Sequence, residues 1–214
     1  MSSSMAQALR TVPPSGGDRS DGGTGGSGRR SATMARVSST TLPSGTTLRL
    51  LVSTDAAELA AAYRRNRAHL APWEPLREEG FFTADGQAGA VAARLAGLAS
   101  GTDAPCVLEA EGRIVGTVTL SGIVRGPFLS AHVGYWVDAA LQGRGIASAA
   151  LREVLTVARD DLGLHRVQAS VLPHNTASRA LLDRAGFTLI GSAPSYLRIA
   201  GRWQDHILYQ RILA

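Results

Sequence analysis

Lysine is missing from this chain, and all 22 basic side chains are arginine. The guanidinium is never deprotonated and forks onto phosphates and carboxylates, so a formal charge of +5 carried this way suits an anionic cofactor or an acidic partner. Arginine, alanine and glycine also share GC-rich codons, and on that reading the missing lysine says nothing about ligands. The charge alone does not imply nucleic-acid binding. Cysteine is nearly absent too. A single thiol, Cys106, excludes an intrachain disulfide framework and a cysteine metal cluster, and points to a reducing, cytosolic setting. Its place in the apolar run Pro105-Cys-Val-Leu108 reads as a buried structural thiol rather than a nucleophile. No stretch approaches the roughly 18 apolar residues that span a bilayer, and the N-terminal residues lack the apolar block of a secretory signal. Aromatics are scarce, at 5% beside 44% hydrophobic residues, so a single core of Leu, Val, Ile and Ala in one domain is expected.

Residues 1–45 hold few apolar side chains and are rich in Ser, Gly, Thr and Pro, including Gly22-Gly-Thr-Gly-Gly-Ser-Gly28. Such a segment buries too little surface to offset the entropy of ordering, and a disordered tail is expected, followed by one domain over 46–214. Met34 opens an alternative reading frame start, with residues 1–33 then lying outside the mature chain. From Leu48 the pattern becomes regular. A short strand at Leu48–Val52 precedes a helix from Asp55 to about His69, with Ser53 or Thr54 as its N-cap. Val91, Leu95 and Leu98 fall at helical spacing within 83–99. Cys106–Ala110 and Ile114–Leu120 then form a hairpin through Glu111-Gly112, and a strand follows at Ser130–Val137. A helix over Gly145–Leu162, a strand over His165–Leu172 and a short helix over Thr176–Ala185 closed by Gly186 complete the alternation. Three strands finish the chain, at Phe187–Gly191, Tyr196–Ile199 and Trp203–Leu213. Together these elements describe an α/β sandwich with a mixed sheet.

The most informative segment runs from His132-Val-Gly-Tyr-Trp-Val-Asp138 into Leu141-Gln-Gly-Arg-Gly-Ile-Ala147, a strand leading through a Gly-rich turn into a helix. Amides at such a turn have no partner within the helix and point outward together, so they bind a pyrophosphate, assisted by the helix dipole. Gly143-Arg-Gly145 is only half of a dinucleotide fingerprint, and Ser148 stands where its third Gly or Ala falls, which disfavours nicotinamide binding. The segment resembles the GNAT superfamily of N-acetyltransferases, whose pyrophosphate loop reads Gln/Arg-x-x-Gly-x-Gly/Ala. Gln142-Gly-Arg-Gly145-Ile-Ala147 meets that pattern, and Asn175 and the pair Gly186-Phe187 match two later features in the same order. Within the superfamily the chain is similar to the RimJ and RimL group, which acetylates N-termini of ribosomal proteins. The similarity covers Leu48 to the C-terminus. It is carried by Asn66-Arg-Ala-His-Leu-Ala-Pro-Trp-Glu-Pro75, Val133-Gly-Tyr-Trp136, Leu164-His-Arg166, Asn175 with Ser178, and the segment from Tyr196 to His206.

The resemblance implies a mixed sheet of about seven strands flanked by about four helices, and acetyl-CoA as co-substrate without a metal. It implies a pantetheine arm along main-chain groups of Tyr135, Trp136 and Val137, assisted by Asn175. The pyrophosphate is then held at Gln142, Gly143, Arg144, Gly145, Ile146 and Ala147. Many members carry a Tyr acid seven residues after the Asn, where this chain has Leu182. Ser178 matches a Ser of the RimJ and RimL group proposed to protonate the thiolate, and a Ser bonded back to a helix carbonyl is the plain alternative. RimL-like enzymes place a Glu where this chain has Ser195, so the base must come from elsewhere. Glu74, beside Trp73, is the candidate, either as base or as a residue that binds the acceptor. Trp73, Tyr196 and Trp203 are candidates for lining the acceptor cleft, while Asp205-His206 on the closing strand reads as structural. The expected acceptor is a protein N-terminus, or else a small amine such as an antibiotic, polyamine or amino-acid analogue. The acidic residues Glu74, Glu78, Glu79 and Asp85 keep the second acceptor class open. A non-catalytic acetyl-CoA sensor is the third reading. No direct nucleic-acid or membrane partner is expected, and the protein is expected to be cytoplasmic, as monomer or homodimer.

Overall fold

The computed structural model describes residues 39–213. It opens on a hairpin in which β1 (Thr40–Thr41) pairs antiparallel with β2 (Thr47–Leu50), closed by Leu42 N donating to Thr46 O at 2.8 Å. Leu42 is buried in the main core. The expected tail boundary at residue 45 is therefore too late, because β1 has a ladder partner and Leu42 a packing site to set against their ordering entropy. The earlier part of the expected tail, Met34 included, lies outside the described residues.

The Ser53 or Thr54 cap is replaced by a 3₁₀ turn over Ser53–Asp55, in which Asp55 accepts the Val52 N–H and takes a bidentate pair of hydrogen bonds from Arg49 at 2.8 Å each. Helix α1 (Ala56–Arg65) follows, burying Leu59, Ala60, Ala62 and Tyr63 on one face. The expected single helix to His69 breaks at Asn66. Its side-chain amide donates to Ala62 O and to Asp138, and its carbonyl accepts from Ala139 N, so long-range bonds win over helical propagation. A one-turn helix α2 (Arg67–Leu70) resumes beyond it. This break accounts for five α-helices among the described residues where about four were expected. Helix α3 (Ala84–Ala99) is capped by Thr83, whose hydroxyl accepts the Gly86 N–H at 3.1 Å.

Strands β3 (Asp103–Ala110) and β4 (Arg113–Val124) form the expected hairpin, turning on Glu111 at φ 52° and Gly112 at φ 71°. Two adjacent left-handed residues match the twist of a hairpin, which is why Gly follows Glu there. After β5 (Ser130–Val137) come α4 (Ile146–Asp160), β6 (Arg166–Val171) and α5 (Thr176–Arg184). The two strands expected over 187–199 are one, β7 (Thr188–Ile199), bent by register shifts between Leu189 and Gly191 and between Ala193 and Leu197. It pairs with β8 (Arg202–Ile212).

Among the described residues the sheet has eight strands in the order β1-β2-β3-β4-β5-β6-β8-β7, antiparallel except between β5 and β6. Alternation along the strands divides the core into two layers. On one face Val107, Ile114 and Trp136 pack with Leu59, Tyr63 and Val91 of α1 and α3. On the other Val118, Val133, Tyr135 and Val137 pack with Leu151, Val154 and Leu182 of α4 and α5. Cys106 belongs to this second layer, and burial pushes its thiol up to about 12, which suits packing and not nucleophilic attack. Among the described residues no helix is long and apolar enough to cross a membrane.

Candidate active site

The parallel pairing of β5 and β6 runs only from Ser130↔Arg166 to His132↔Gln168, although β5 continues to Val137 and β6 to Val171. A gap opens beyond the last pair. Its walls are Val133, Gly134 and Tyr135 of β5, Ala169 to Leu172 along β6, and Asn175, Ser178 and His206. A larger cleft of about 360 Å³ adjoins it, lined by Val137, Leu141 to Gly143, Gly145 to Ser148, Ala177, Leu181 and Arg184. Tyr135 and Ser178 line both. Their hydroxyls lie 2.9 Å apart in a buried hydrogen bond. Ser178 therefore spends its hydroxyl on a partner across the cleft and not on a helix carbonyl. Asn175 caps α5, its Oδ1 accepting from Ser178 N at 3.1 Å, which fixes the Ser178 side chain at the junction.

The larger cleft ends at the start of α4. Gly143 and Gly145 have φ of 74° and 76°, a left-handed backbone that L side chains resist, and a β-carbon at either would meet nothing within 4 Å. The glycines are needed there for their torsions. Gly145 is the N-cap residue and supplies no side-chain cap, so the first amides of α4 face the cleft as donors. Gln142 at the rim bonds His69 of α2, 2.8 Å between Nε2 atoms, and burial lowers the His69 imidazole pKa. Arg144 is exposed and outside the cleft lining, whereas Arg184 of α5, which sequence reading missed, is within it. Trp136 presents its main chain along β5, but its indole lies on the opposite face, donating to Tyr63 Oη at 3.3 Å.

The loop before α4 is braced from α1. The Asp138 carboxylate accepts from Arg65 Nε at 2.8 Å, Asn66 Nδ2 at 3.1 Å and Ala140 N at 3.0 Å. Burial, the largest single influence, pushes the Asp138 carboxyl up, and the bonds from Arg65, Asn66 and Ala140 together outweigh it and hold it below the usual aspartate range. The stabilisation is therefore complete above the ordinary aspartate range and is lost as the pH falls through the lowered value. Asp138→Ala is expected to cost about 2 kcal/mol at pH 7, since Arg65 stays partly solvated but Asn66 loses a buried partner. Chemical denaturation should show that difference shrinking below pH 4 or so, where the wild-type carboxyl also becomes neutral.

Glu74 is 4% exposed and stands elsewhere. It lines a separate cavity of about 140 Å³ with Tyr63, Arg67, Leu70, Leu76, Arg77 and Phe82. Burial raises its pKa, against the pull of Arg77 and Arg94, and its Oε2 lies 3.7 Å from Arg77 Nε. The carboxyl is therefore raised by burial, and it lines neither the gap nor the cleft. Its main-chain oxygen accepts from Ala200 N, tying the 71–75 loop to the β7–β8 turn. Of the three aromatic candidates, Trp73 packs against His174 beside Asn175, with ring centroids 5.4 Å apart, and Tyr196 packs on His206 at 5.7 Å. Trp203 is 65% exposed on the β7–β8 hairpin and lines none of these cavities, because its strand position faces solvent. His206, read from the sequence as structural, forms part of the gap wall. Strand alternation would have paired Tyr135 with the α5 face, but nothing local marks His206, whose neighbours across the gap come from β5, β6 and α5.

The sequence profile of the acetyltransferase (GNAT) domain matches residues 46–188. The chain is 35% identical over 167 residues to the [ribosomal protein uS5]-alanine N-acetyltransferase of Escherichia coli, covering 75% of this chain and 84% of that one. The crystal structure of ribosomal-protein-S5-alanine acetyltransferase from Vibrio fischeri superposes with a TM-score of 0.75 at 38% identity, over 78% of this chain and 92% of that one. Mycobacterium smegmatis RimJ in complex with CoA-disulfide superposes with a TM-score of 0.77 at 33% identity, over 82% and 86% of the two chains. A split parallel strand pair, an uncapped Gly-rich helix start and this likeness over most of the chain converge: the protein belongs to the GNAT family of acetyltransferases.

Proposed function

We propose that this acetyltransferase transfers acetyl from acetyl-CoA to the N-terminal α-amine of a protein, with ribosomal proteins as the first acceptors to try. The acceptor class rests on the likeness to an Escherichia coli enzyme that acetylates an alanine of ribosomal protein uS5. The transfer itself rests on one observation above the rest, the Tyr135–Ser178 hydroxyl pair at the point where the cleft meets the gap.

Acetyl-CoA supplies the activated acyl group when bound. The donors present fit it: Gly143, Gly145 and Ile146 offer main-chain amides at a helix start with no competing cap, and Arg184 adds a cation to the same cleft. Tyr135 and Val137 line the way from that helix start to the gap. Ser178 then stands where the sulfur departs and holds a proton for it, replenished from the Tyr135 phenol. This arrangement replaces the Tyr acid whose usual position is Leu182, a fully buried core residue of α5. Trp73 and Tyr196 border the acceptor side, and Glu74 acts as a positioning residue that anchors the loop carrying Trp73.

Two of the carboxylates that would have favoured a polycationic small molecule are already engaged by arginines. Glu79 is turned onto Arg67 at 2.5 Å, and Glu74 is buried beside Arg77. The test is thiol release from acetyl-CoA with a panel of ribosomal-protein N-terminal peptides beside small amines, products being read by mass. Acetylation of free peptide α-amines, and none of peptides already blocked there, is the expected result. Turnover confined to small amines would overturn the acceptor assignment.

A further inference from the structure

We infer that His206 is the general base that takes the proton from the acceptor amine, an inference that rests on the acetyl-transfer reading of the same gap. Among the described residues that line the gap, it is the only side chain able to accept a proton near neutral pH, the others being aliphatic, hydroxyl or amide groups. It comes from β8, on the far side of β6 from β5, and so faces Tyr135 and Ser178 across the gap, opposite the cleft from which a thioester would enter.

The tautomer follows from the chain itself. His206 Nδ1 lies 3.0 Å from Gln204 O, and a carbonyl only accepts, so Nδ1 carries the hydrogen. Nε2 is then the basic nitrogen, and no hydrogen bond occupies it among the described residues. The Tyr196 ring, 5.7 Å away between centroids, holds the imidazole plane. Burial lowers the imidazole below its ordinary value, against smaller opposing effects of the Gln204 bond and Asp205, so the ring is neutral and ready to accept at pH 7. The titratable groups around it are Asp205 on its own strand, Tyr196 on β7 and Tyr135 on β5; β6 contributes Ala169, Ser170 and Val171, with Leu172 just beyond its end, none of which titrates. Asp205 is itself engaged, its Oδ1 accepting from Ser195 N at 2.8 Å. Ser195, standing where RimL-like enzymes place a carboxylate, thus orders the neighbour of the base.

In the step itself, an α-ammonium in the gap gives one proton to Nε2, which passes it to solvent. The freed nitrogen pair attacks the thioester carbonyl carbon, so the C–N bond forms and the C–S bond breaks. The sulfur takes a proton from Ser178 and leaves as the thiol, and the second proton lost by nitrogen as the amide forms makes up the one delivered to sulfur.

The variant His206→Asn keeps a donor within reach of Gln204 O and removes Nε2. Its kcat is to be measured from pH 5 to 9 at saturating acetyl-CoA, with whichever primary amine the wild type acetylates best. Wild-type kcat should rise through an apparent pKa below about 6.5 and then level. His206→Asn should lose about 10²- to 10⁴-fold at pH 7, with acetyl-CoA affinity unchanged, and where the acceptor is a peptide α-amine it should recover as the pH passes that amine's own value near 8. A variant with the wild-type kcat and pH profile would falsify the assignment. Should His206→Asn not fold, the wild-type profile decides alone, and a kcat flat from pH 5 to 8 overturns it. If only small amines are acetylated, the protein-acceptor reading fails while the His206 test runs unchanged on that amine. A wild type that acetylates no amine overturns both.

Discussion

Replacing Ser178 by Ala and Tyr135 by Phe together will lower kcat about 10²- to 10⁴-fold while leaving acetyl-CoA binding close to wild type. Among the described residues, Tyr135 and Ser178 are the two that line both the cleft and the gap, and their hydroxyls bond each other at 2.9 Å. A thiolate formed beside them, in a buried site, is costly without a proton, and Ser178 alone is a poor acid. A phenol is a stronger acid than an aliphatic hydroxyl, so Tyr135 is the better source, relayed through Ser178. Because the pair works as a unit, each single variant should lose nearly as much as the double variant. The folded state loses one buried hydrogen bond, worth about 1 kcal/mol, so the melting temperature should fall by only about 2 to 4 °C. The acid role is separable from a positioning role by the choice of donor. With an aryl thioester, whose thiolate needs no proton to depart, the double variant should recover most of the loss. Equal deficits with alkyl and aryl donors would show that the pair orders the cleft and moves no proton.

Gly116→Ala will destabilise the domain by about 3 kcal/mol, or about 6 to 12 °C in melting temperature for a domain of this size. A β-carbon there would sit 2.4 Å from Trp136 O and 3.2 Å from Val137 Cα, with Leu108 Cδ1 at 3.0 Å. The first two are main-chain atoms of β5, so no side-chain rotation relieves them. Gly116 pairs with Val137 on one side and Leu108 on the other, and admitting a methyl means moving β4 away from β5 at the segment that lines the cleft. The acetyl-CoA KM should rise along with the loss of stability. Calorimetry checks the first effect and steady-state kinetics the second. An unchanged melting temperature would mean that β4 and β5 lie further apart in solution than described.

Much of this was readable without coordinates, and the errors share a cause. The spacing of Val91, Leu95 and Leu98, the Glu111-Gly112 turn and the Gln142 to Ala147 loop are local signals, and the helix, hairpin and helix start they announce are all present. Asn66 broke a helix that local spacing ran to His69, because its partners Asp138 and Ala139 are over seventy residues away. β1 was missed for the same reason, since a two-residue strand exists only by virtue of its partner.

The sequence by itself determined the family, because the Gly-rich helix start that marks it is written in contiguous residues, Gln142 to Ala147, whose left-handed glycines at 143 and 145 are present as read. Only the tertiary structure decided which side chains line the gap between β5 and β6. It put Glu74 in a separate cavity and Trp203 on the exposed hairpin, and brought Tyr135, Ser178 and His206 together along one gap. Those three come from β5, α5 and β8, and the gap between them exists because β5 and β6 stop pairing after His132 and Gln168, a property of the folded sheet that no stretch of residues encodes alone.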